Sequence, residues 1–292
     1  MTTAGTSVRT AVAGGAERLS AAGAASPERE AEALLAAQLG SGRLELYLRD
    51  APVDEAALAA YAEALERRSS GMPLQYLLGE AEFFGRRFTV RPGVFIPRPE
   101  TEAVVAEAIG ALARSVRPPR RVLDAGTGSG CIAVTLAAAF PACTVVAVEV
   151  SYEALQAASA NLARHEAASR VALVQGNWLD AIRGRFDGLV ANPPYLPSAT
   201  IAGLPADVRR EPRLALDGGP DGTDALAALT DTLPRVLNPG GVAVFECGES
   251  QAVTLAVRAR ARAGVAEARY IRDLAGRPRG VVVRMAGGRA DS

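Results

Sequence analysis

From residue 121 onward the chain alternates short apolar runs with helical segments, and that alternation restricts its fold more than any other feature. The runs are Arg121-Val122-Leu123, Thr144 to Val148, Val171 to Val174, Phe186 to Ala191, Gly241 to Phe245 and Gly280 to Arg284. Strands alternating with helices imply βαβ units and a parallel sheet covered on both faces. Right-handed crossovers reduce the topology to a doubly wound sheet. In such sheets ligands bind beyond the carboxyl ends of the strands, near the point where strand order reverses. Chemistry is therefore expected just after Leu123, Val148 and Val190.

Residues 1–75 follow a different regime. Ser26-Pro27 predicts a helix start, with serine as N-cap and proline at the first helical position. Ala31, Leu34, Leu35 and Leu39 keep 3.6-residue spacing up to Gly40. A second helix is predicted from Asp54 to about Arg68, with Leu58, Tyr61 and Leu65 on one stripe. A small all-helical domain over 1–75 follows, then a connecting β-hairpin or linker over 76–98, where Phe88-Thr89-Val90 and Val94-Phe95-Ile96 are the candidate strands. The domain carrying the chemistry is expected over 99–292. The Ala-rich stretch 8–25 has the look of a targeting peptide, but Glu17 and Arg18 interrupt any apolar core. The reading is a cytoplasmic protein with no membrane segment.

Composition removes several chemistries. Lys and Arg together number 32, and all of them are Arg. Without lysine there is no Schiff base and no P-loop lysine. His165 is the single histidine, which leaves no His-rich metal site and little room for a Ser-His-Asp triad. Cys131, Cys143 and Cys247 are odd in number and far apart, as in a reducing compartment. Acidic residues also number 32, and this balance disfavours a nucleic-acid substrate. Arg67-Arg68 and Arg120-Arg121 could meet an acidic partner, although most such pairs are solvated.

Three segments fall where the strand-end rule points. After Leu123 comes Asp124-Ala125-Gly126-Thr127-Gly128-Ser129-Gly130, a loop that lets a ligand approach the backbone and opens a helix whose N–H groups suit an anion. A tight strand–helix turn explains the same letters. Glu149 closes the next strand, where an acidic side chain takes a ribose diol; a glutamate capping the following helix near Ser151 fits equally. Cys131 stands where a dinucleotide fingerprint wants Gly or Ala. After Ala191 comes Asn192-Pro193-Pro194-Tyr195. Each proline holds its predecessor extended, which aims the Asn192 amide oxygen and the Pro193 carbonyl at one point. Two fixed acceptors suit a planar NH2 group, and Tyr195 can stack on the group that carries it.

Asn-Pro-Pro-Tyr after such a glycine loop resembles the amino-methyltransferases. Pro73-Leu74-Gln75-Tyr76, Gly79-Glu80, Phe83-Phe84-Gly85 and Ile96-Pro97-Arg98-Pro99-Glu100-Thr101-Glu102 narrow the resemblance. So do Gly176-Asn177-Trp178, Glu211-Pro212 and Leu237-Asn238-Pro239-Gly240-Gly241. Together they are similar to the HemK-type protein-(glutamine-N5) methyltransferases of the PrmC family, which modify the Gly-Gly-Gln glutamine of peptide chain release factors. The resemblance spans nearly the whole chain. It implies an α/β, Rossmann-like AdoMet-dependent methyltransferase sheet, preceded by the small all-helical N-terminal domain, which helps grip the protein substrate. It implies S-adenosylmethionine as cofactor, release factors as partners, no metal and a monomer. Gly126, Thr127, Gly128, Ser129 and Gly130 then wrap the methionine end, Glu149 takes the ribose and Trp178 lies near the adenine. Asn192 touches cofactor and substrate and is the catalytic residue, while Pro193, Pro194 and Tyr195 hold the glutamine amide. Two positions depart from the pattern: Glu149 where Asp is usual, and Asn177 where Asp is common. Ribosomal-protein glutamine methylation shares the whole site, and RNA or DNA amino-methylation is the more distant alternative. No general base is needed, and His165 is read as an exposed bystander.

Overall fold

The structure, a computed structural model, describes residues 6–48, 52–180, 182–273 and 275–287. Two compact units emerge. One comprises Met1–Glu80 with Pro205–Arg210, and the other Ala81–Leu204 with Glu211–Ser292.

The first unit is helical: α1 (Val8–Ala21), α2 (Pro27–Gln38), α3 (Arg43–Leu46), α4 (Glu55–Ser69) and α5 (Leu74–Leu78). The Ser7 hydroxyl accepts from Thr10 N–H at 3.2 Å and Asp54 from Ala57 N–H at 2.8 Å, so α1 and α4 begin on side-chain caps. Pro27 opens α2, but Ser26 makes no side-chain cap bond. Leu19, Leu34, Leu35, Leu46, Tyr61 and Leu65 form the core. Arg68, expected to be solvated, is instead used internally. Its side chain is 11% exposed and lies 2.6 Å from Glu30, itself 10% exposed, and 3.4 Å from Asp207. Arg210 adds a bond to the Ser70 carbonyl at 3.2 Å. These contacts fasten 205–210 to the helices, an excursion that hydrophobic periodicity cannot signal.

The second unit begins with a hairpin, β1 (Glu80–Phe83) and β2 (Arg86–Thr89). Phe84 and Gly85 turn it with φ of 49° and 66°, the two positive values a tight two-residue hairpin turn needs. The pairing of 88–90 with 94–96 expected from sequence is absent. Val94 N–H is spent on the Arg91 carbonyl in the Pro92-Gly93 turn, and Ile96 N–H on the Glu211 carboxylate.

Then follow α6 (Pro99–Ala113), β3 (Arg121–Ala125), α7 (Cys131–Ala139), β4 (Thr144–Glu149), α8 (Tyr152–Arg164), β5 (Val171–Gln175), β6 (Phe186–Ala191), α9 (Asp224–Val236), β7 (Leu237–Glu246), α10 (Ala252–Arg260), β8 (Val265–Arg272) and β9 (Pro278–Met285). The seven-stranded sheet has the order β5-β4-β3-β6-β7-β9-β8. Strands β3 to β7 pair in parallel, but β9 pairs antiparallel with both β7 and β8. The sheet is thus mixed, not wholly parallel. Edge strand β8 escaped the sequence reading because its exposed outer positions carry no apolar alternation. Successive residues of the parallel strands face opposite layers. Val122, Val145, Val190 and Val244 pack with α6 to α8, whereas Leu123, Val148, Leu189 and Phe245 pack with α9 and α10.

His165 is half-buried at the end of α8, not exposed. Its Nε2 lies 2.9 Å from the Arg87 carbonyl and its ring centroid 4.7 Å from that of Phe88, so it joins α8 to the hairpin. No helix among the described residues is long and apolar enough to cross a membrane.

Candidate active site

Strand order reverses between β3 and β6. Their register pairs Ala125 with Ala191, and the neighbouring strands end at Glu149 and Glu246. A cavity of about 490 Å³ opens beyond these ends, within the usual size of small-molecule sites.

Its floor is the loop after β3. Gly126, Gly128 and Gly130 have φ of 77°, 55° and 82°, a conformation that side chains rarely adopt. A Cβ on Gly126 would lie 3.3 Å from the Trp178 indole, and one on Gly130 would lie 3.2 Å from Ala158. Gly126 therefore lets Trp178 lie along the loop, and Gly130 lets α7 approach α8. Asp124, fully buried under the loop, accepts from the Thr127 hydroxyl at 2.6 Å. Burial pushes its carboxyl up to about 7, against the lowering effect of that bond and of the Ala133 N–H. Glu149 accepts from the N–H groups of Gly128, Val150 and Ser151, each at 2.9 Å. Its carboxylate thus ties the glycine loop to the start of α8. Glu149 borders the cavity and also holds the helix entry.

Gly126, Thr127, Gly128, Ser129, Glu149, Trp178, Asn192 and Pro194 line the cavity, and Asn177 joins them. Gly130 sits behind it as the N-cap of α7. Pro193 is buried, and its carbonyl accepts no hydrogen bond among the described residues. The Tyr195 hydroxyl is turned toward Glu246 at 3.2 Å. Burial and the Glu246 carboxylate hold that phenol well above its ordinary range.

The Asn-Pro-Pro-Tyr loop is fixed from behind. Gln251 Nε2 donates to the Tyr195 carbonyl at 3.0 Å and to the Gly222 carbonyl at 2.9 Å. Leu196 N–H donates to the Leu216 carbonyl at 3.1 Å and the Leu196 carbonyl accepts from Gly218 N–H at 2.9 Å, which seats the loop on residues 216–218. A Cβ on Gly218 would come within 2.8 Å of the Pro194 carbonyl, so only glycine permits this approach. Glu211, buried after the excursion, binds Ile96 N–H at 3.0 Å and pairs with Arg98. It thereby holds the segment that brings Phe95 and Pro97 to the cavity wall.

Two functional candidates escaped the sequence reading: Thr101 in the first turn of α6, and Glu246 at the end of β7. Asn192 Nδ2 donates to Thr101 Oγ1 at 3.1 Å, and Thr101 donates to Glu246 Oε2 at 2.6 Å. Glu246 was within reach of the strand-end rule applied to the run Gly241 to Phe245. Thr101 stands within the Ile96 to Glu102 segment that carried the resemblance, but nothing in that segment marks its hydroxyl for a role.

This architecture fits an adenosyl cofactor, with a glycine cradle that side chains would fill, an acidic strand end beside it and an aromatic ring on the loop. A family profile described as "PrmC N-terminal domain" matches residues 10–79, and one described as "Methyltransferase small domain" matches residues 87–202. A release factor glutamine methyltransferase of Moorella thermoacetica is 42% identical over 93% of this chain and 96% of its own length. That of Deinococcus radiodurans is 41% identical with the same coverage, and that of Geobacter sulfurreducens is 45% identical over 77% of this chain and 78% of its own. A methyltransferase from Pyrococcus furiosus shares the fold, with a TM-score of 0.51 at 22% identity, over 70% of this chain and 91% of that one. On this combination of site and relatives, the chain belongs to the release factor glutamine methyltransferase family.

Proposed function

We propose that this chain methylates the side-chain amide nitrogen (N5) of the glutamine in the Gly-Gly-Gln motif of peptide chain release factors, using S-adenosylmethionine. The observation that carries the reading is the state of Asn192 at the switch point. Its NH2 donates to Thr101, and Oδ1 accepts from no donor among the described residues, on a side chain that lines the cavity. An acceptor so held suits a substrate NH2 group.

Bound S-adenosylmethionine supplies an activated methyl on a sulfonium. The chain's own task is to place a weak nucleophile, because the amide lone pair is delocalised into its carbonyl. Positive charge develops on nitrogen as it attacks, and its hydrogens become stronger donors to Asn192 Oδ1 and the Pro193 carbonyl. Those acceptors then bind the transition state more tightly than the ground state. Hydrogen bonds to a charged group contribute about 1.5–3 kcal/mol each, and in-line placement contributes roughly 7–11 kcal/mol. Positioning therefore outweighs acid–base catalysis, and the product releases its proton to water. Gly126 to Ser129, Glu149 and Trp178, which line the cavity, hold the cofactor, and Pro194 borders the amide, with Gly130 and Tyr195 supporting the two loops from behind.

The test is incubation of purified release factor with S-adenosylmethionine and the protein, followed by peptide mass spectrometry. One added methyl on the Gly-Gly-Gln glutamine is expected. Methylation of a ribosomal-protein glutamine or of RNA in its place overturns the assignment.

A further inference from the structure

We infer that Thr101 and Glu246 are positioning residues that set which end of the Asn192 amide faces the substrate, and that they do so only while Glu246 is ionised. The inference deepens the proposed methyl transfer and rests on that reading of the site.

Donor and acceptor capacity settles the orientation. Ionised Glu246 offers acceptors alone. Its Oε2 takes the Thr101 hydroxyl hydrogen at 2.6 Å, and its Oε1 takes the Tyr195 hydroxyl hydrogen at 3.2 Å. With its hydrogen committed, Thr101 Oγ1 can only accept from Asn192, at 3.1 Å. The Asn192 NH2 must then point at Thr101, and Oδ1 must be the atom left for the ligand. Three elements build this chain of bonds: the first turn of α6, the end of β7 and the loop after β6.

Protonation reverses the direction. The Tyr195 hydroxyl has no hydrogen-bond partner other than Glu246 among the described residues. A proton on Oε1 would therefore leave the phenol hydrogen without an acceptor, a costly state in a buried site. A proton on Oε2 donates to Thr101 Oγ1, and the freed Thr101 hydrogen then seeks an acceptor. Asn192 supplies one by turning its amide over, which swings Nδ2 toward the ligand. A substrate NH2 group then meets a donor.

The switch lies in a physiological range. Glu246 is 1% exposed, and burial pushes its carboxyl up to about 7 against the lowering effect of the Thr101 and Tyr195 bonds. Arg279 on β9 favours the ionised form and Glu100 on α6 opposes it. Arg279 is itself paired with Asp273 at 3.1 Å. The adjoining Cys247 thiol, raised to about 12 by burial, stays neutral throughout.

The experiment follows kcat between pH 5.5 and 9 with saturating S-adenosylmethionine and release factor. Wild type is expected to lose rate about tenfold per pH unit on the acid side, as one required ionisation dictates. Glu246→Gln should remove that limb and leave a lowered, flat profile. Thr101→Val should lower kcat roughly 10–100-fold at pH 8, the scale of a misplaced reacting group, with cofactor affinity by calorimetry unchanged. Thr101→Ser should restore most of the rate. An acid limb that persists in Glu246→Gln, or near-wild-type kcat in Thr101→Val, overturns the inference. If Thr101→Val fails to fold, the wild-type and Glu246→Gln profiles decide it. Asn192→Ala separates the two layers: normal turnover in that variant refutes the site itself. An inactive Asn192→Ala beside an active Thr101→Val refutes only the relay.

Discussion

Holding a carboxylate under the active site should cost the free protein stability, and Glu246 allows that cost to be measured. Its carboxyl rises from 4.5 to about 7 on folding, chiefly through burial. At 1.36 kcal/mol per tenfold change in proton affinity, this corresponds to roughly 3 kcal/mol. The sign follows from proton binding. Between about pH 4.5 and 7 the folded chain holds a proton on Glu246 that the unfolded chain has released. Stability therefore falls as pH rises through that window, and the loss is complete above it. Glutamine has nearly the same shape and does not titrate. Glu246→Gln should accordingly be about 1–3 kcal/mol more stable than wild type at pH 8, the lower figure allowing for weaker bonds to Thr101 and Tyr195. The advantage should shrink toward zero near pH 4.5. Urea unfolding of both proteins across pH 4.5–8.5 measures the difference, and the similar shift at Asp124 cancels between them. A difference independent of pH, or a variant less stable at pH 8, would refute the reasoning.

Other perturbations probe separate parts of the molecule. Glu149→Ala removes the acceptor shared by three backbone N–H groups and should weaken S-adenosylmethionine binding by at least about tenfold, given 1.5–3 kcal/mol per charged hydrogen bond; unchanged affinity by calorimetry would contradict the placement. Arg68→Ala strands the Glu30 carboxylate and should cost about 3 kcal/mol, read by urea unfolding, with faster amide exchange over 205–210. Gly130→Ala forces a side chain into φ 82° against Ala158 at 3.2 Å and should destabilise by about 2–4 kcal/mol; a loss below about 1 kcal/mol would show that the α7–α8 approach has slack.

The features legible in the sequence are those that local pattern encodes. Apolar runs separated by helical spacing revealed six strands, and the strand-end rule led to Gly126, Glu149 and Asn192. Features that depend on distant partners were not legible. Strand β8 forms because β9 offers it an edge, although its own residues lack alternation. The segment 94–96 stays unpaired because Glu211, far along the chain, takes the Ile96 N–H. Arg68 reads as a surface charge until Glu30 and Asp207 converge on it. The same limit hid Thr101, whose hydroxyl acquires meaning only between Asn192 and Glu246. The missing lysines and the single histidine exclude rival chemistries, and the proposed site uses neither residue type.

The central claim is that this cavity delivers a methyl group to one amide nitrogen, and product analysis on the intact substrate tests it most directly. After incubation of the protein with S-adenosylmethionine and purified release factor, tandem mass spectrometry should find one added methyl on the Gly-Gly-Gln glutamine, absent when Asn192→Ala replaces wild type. An unmodified glutamine under conditions where S-adenosylmethionine binds, or a methyl placed equally well by Asn192→Ala, would contradict the account.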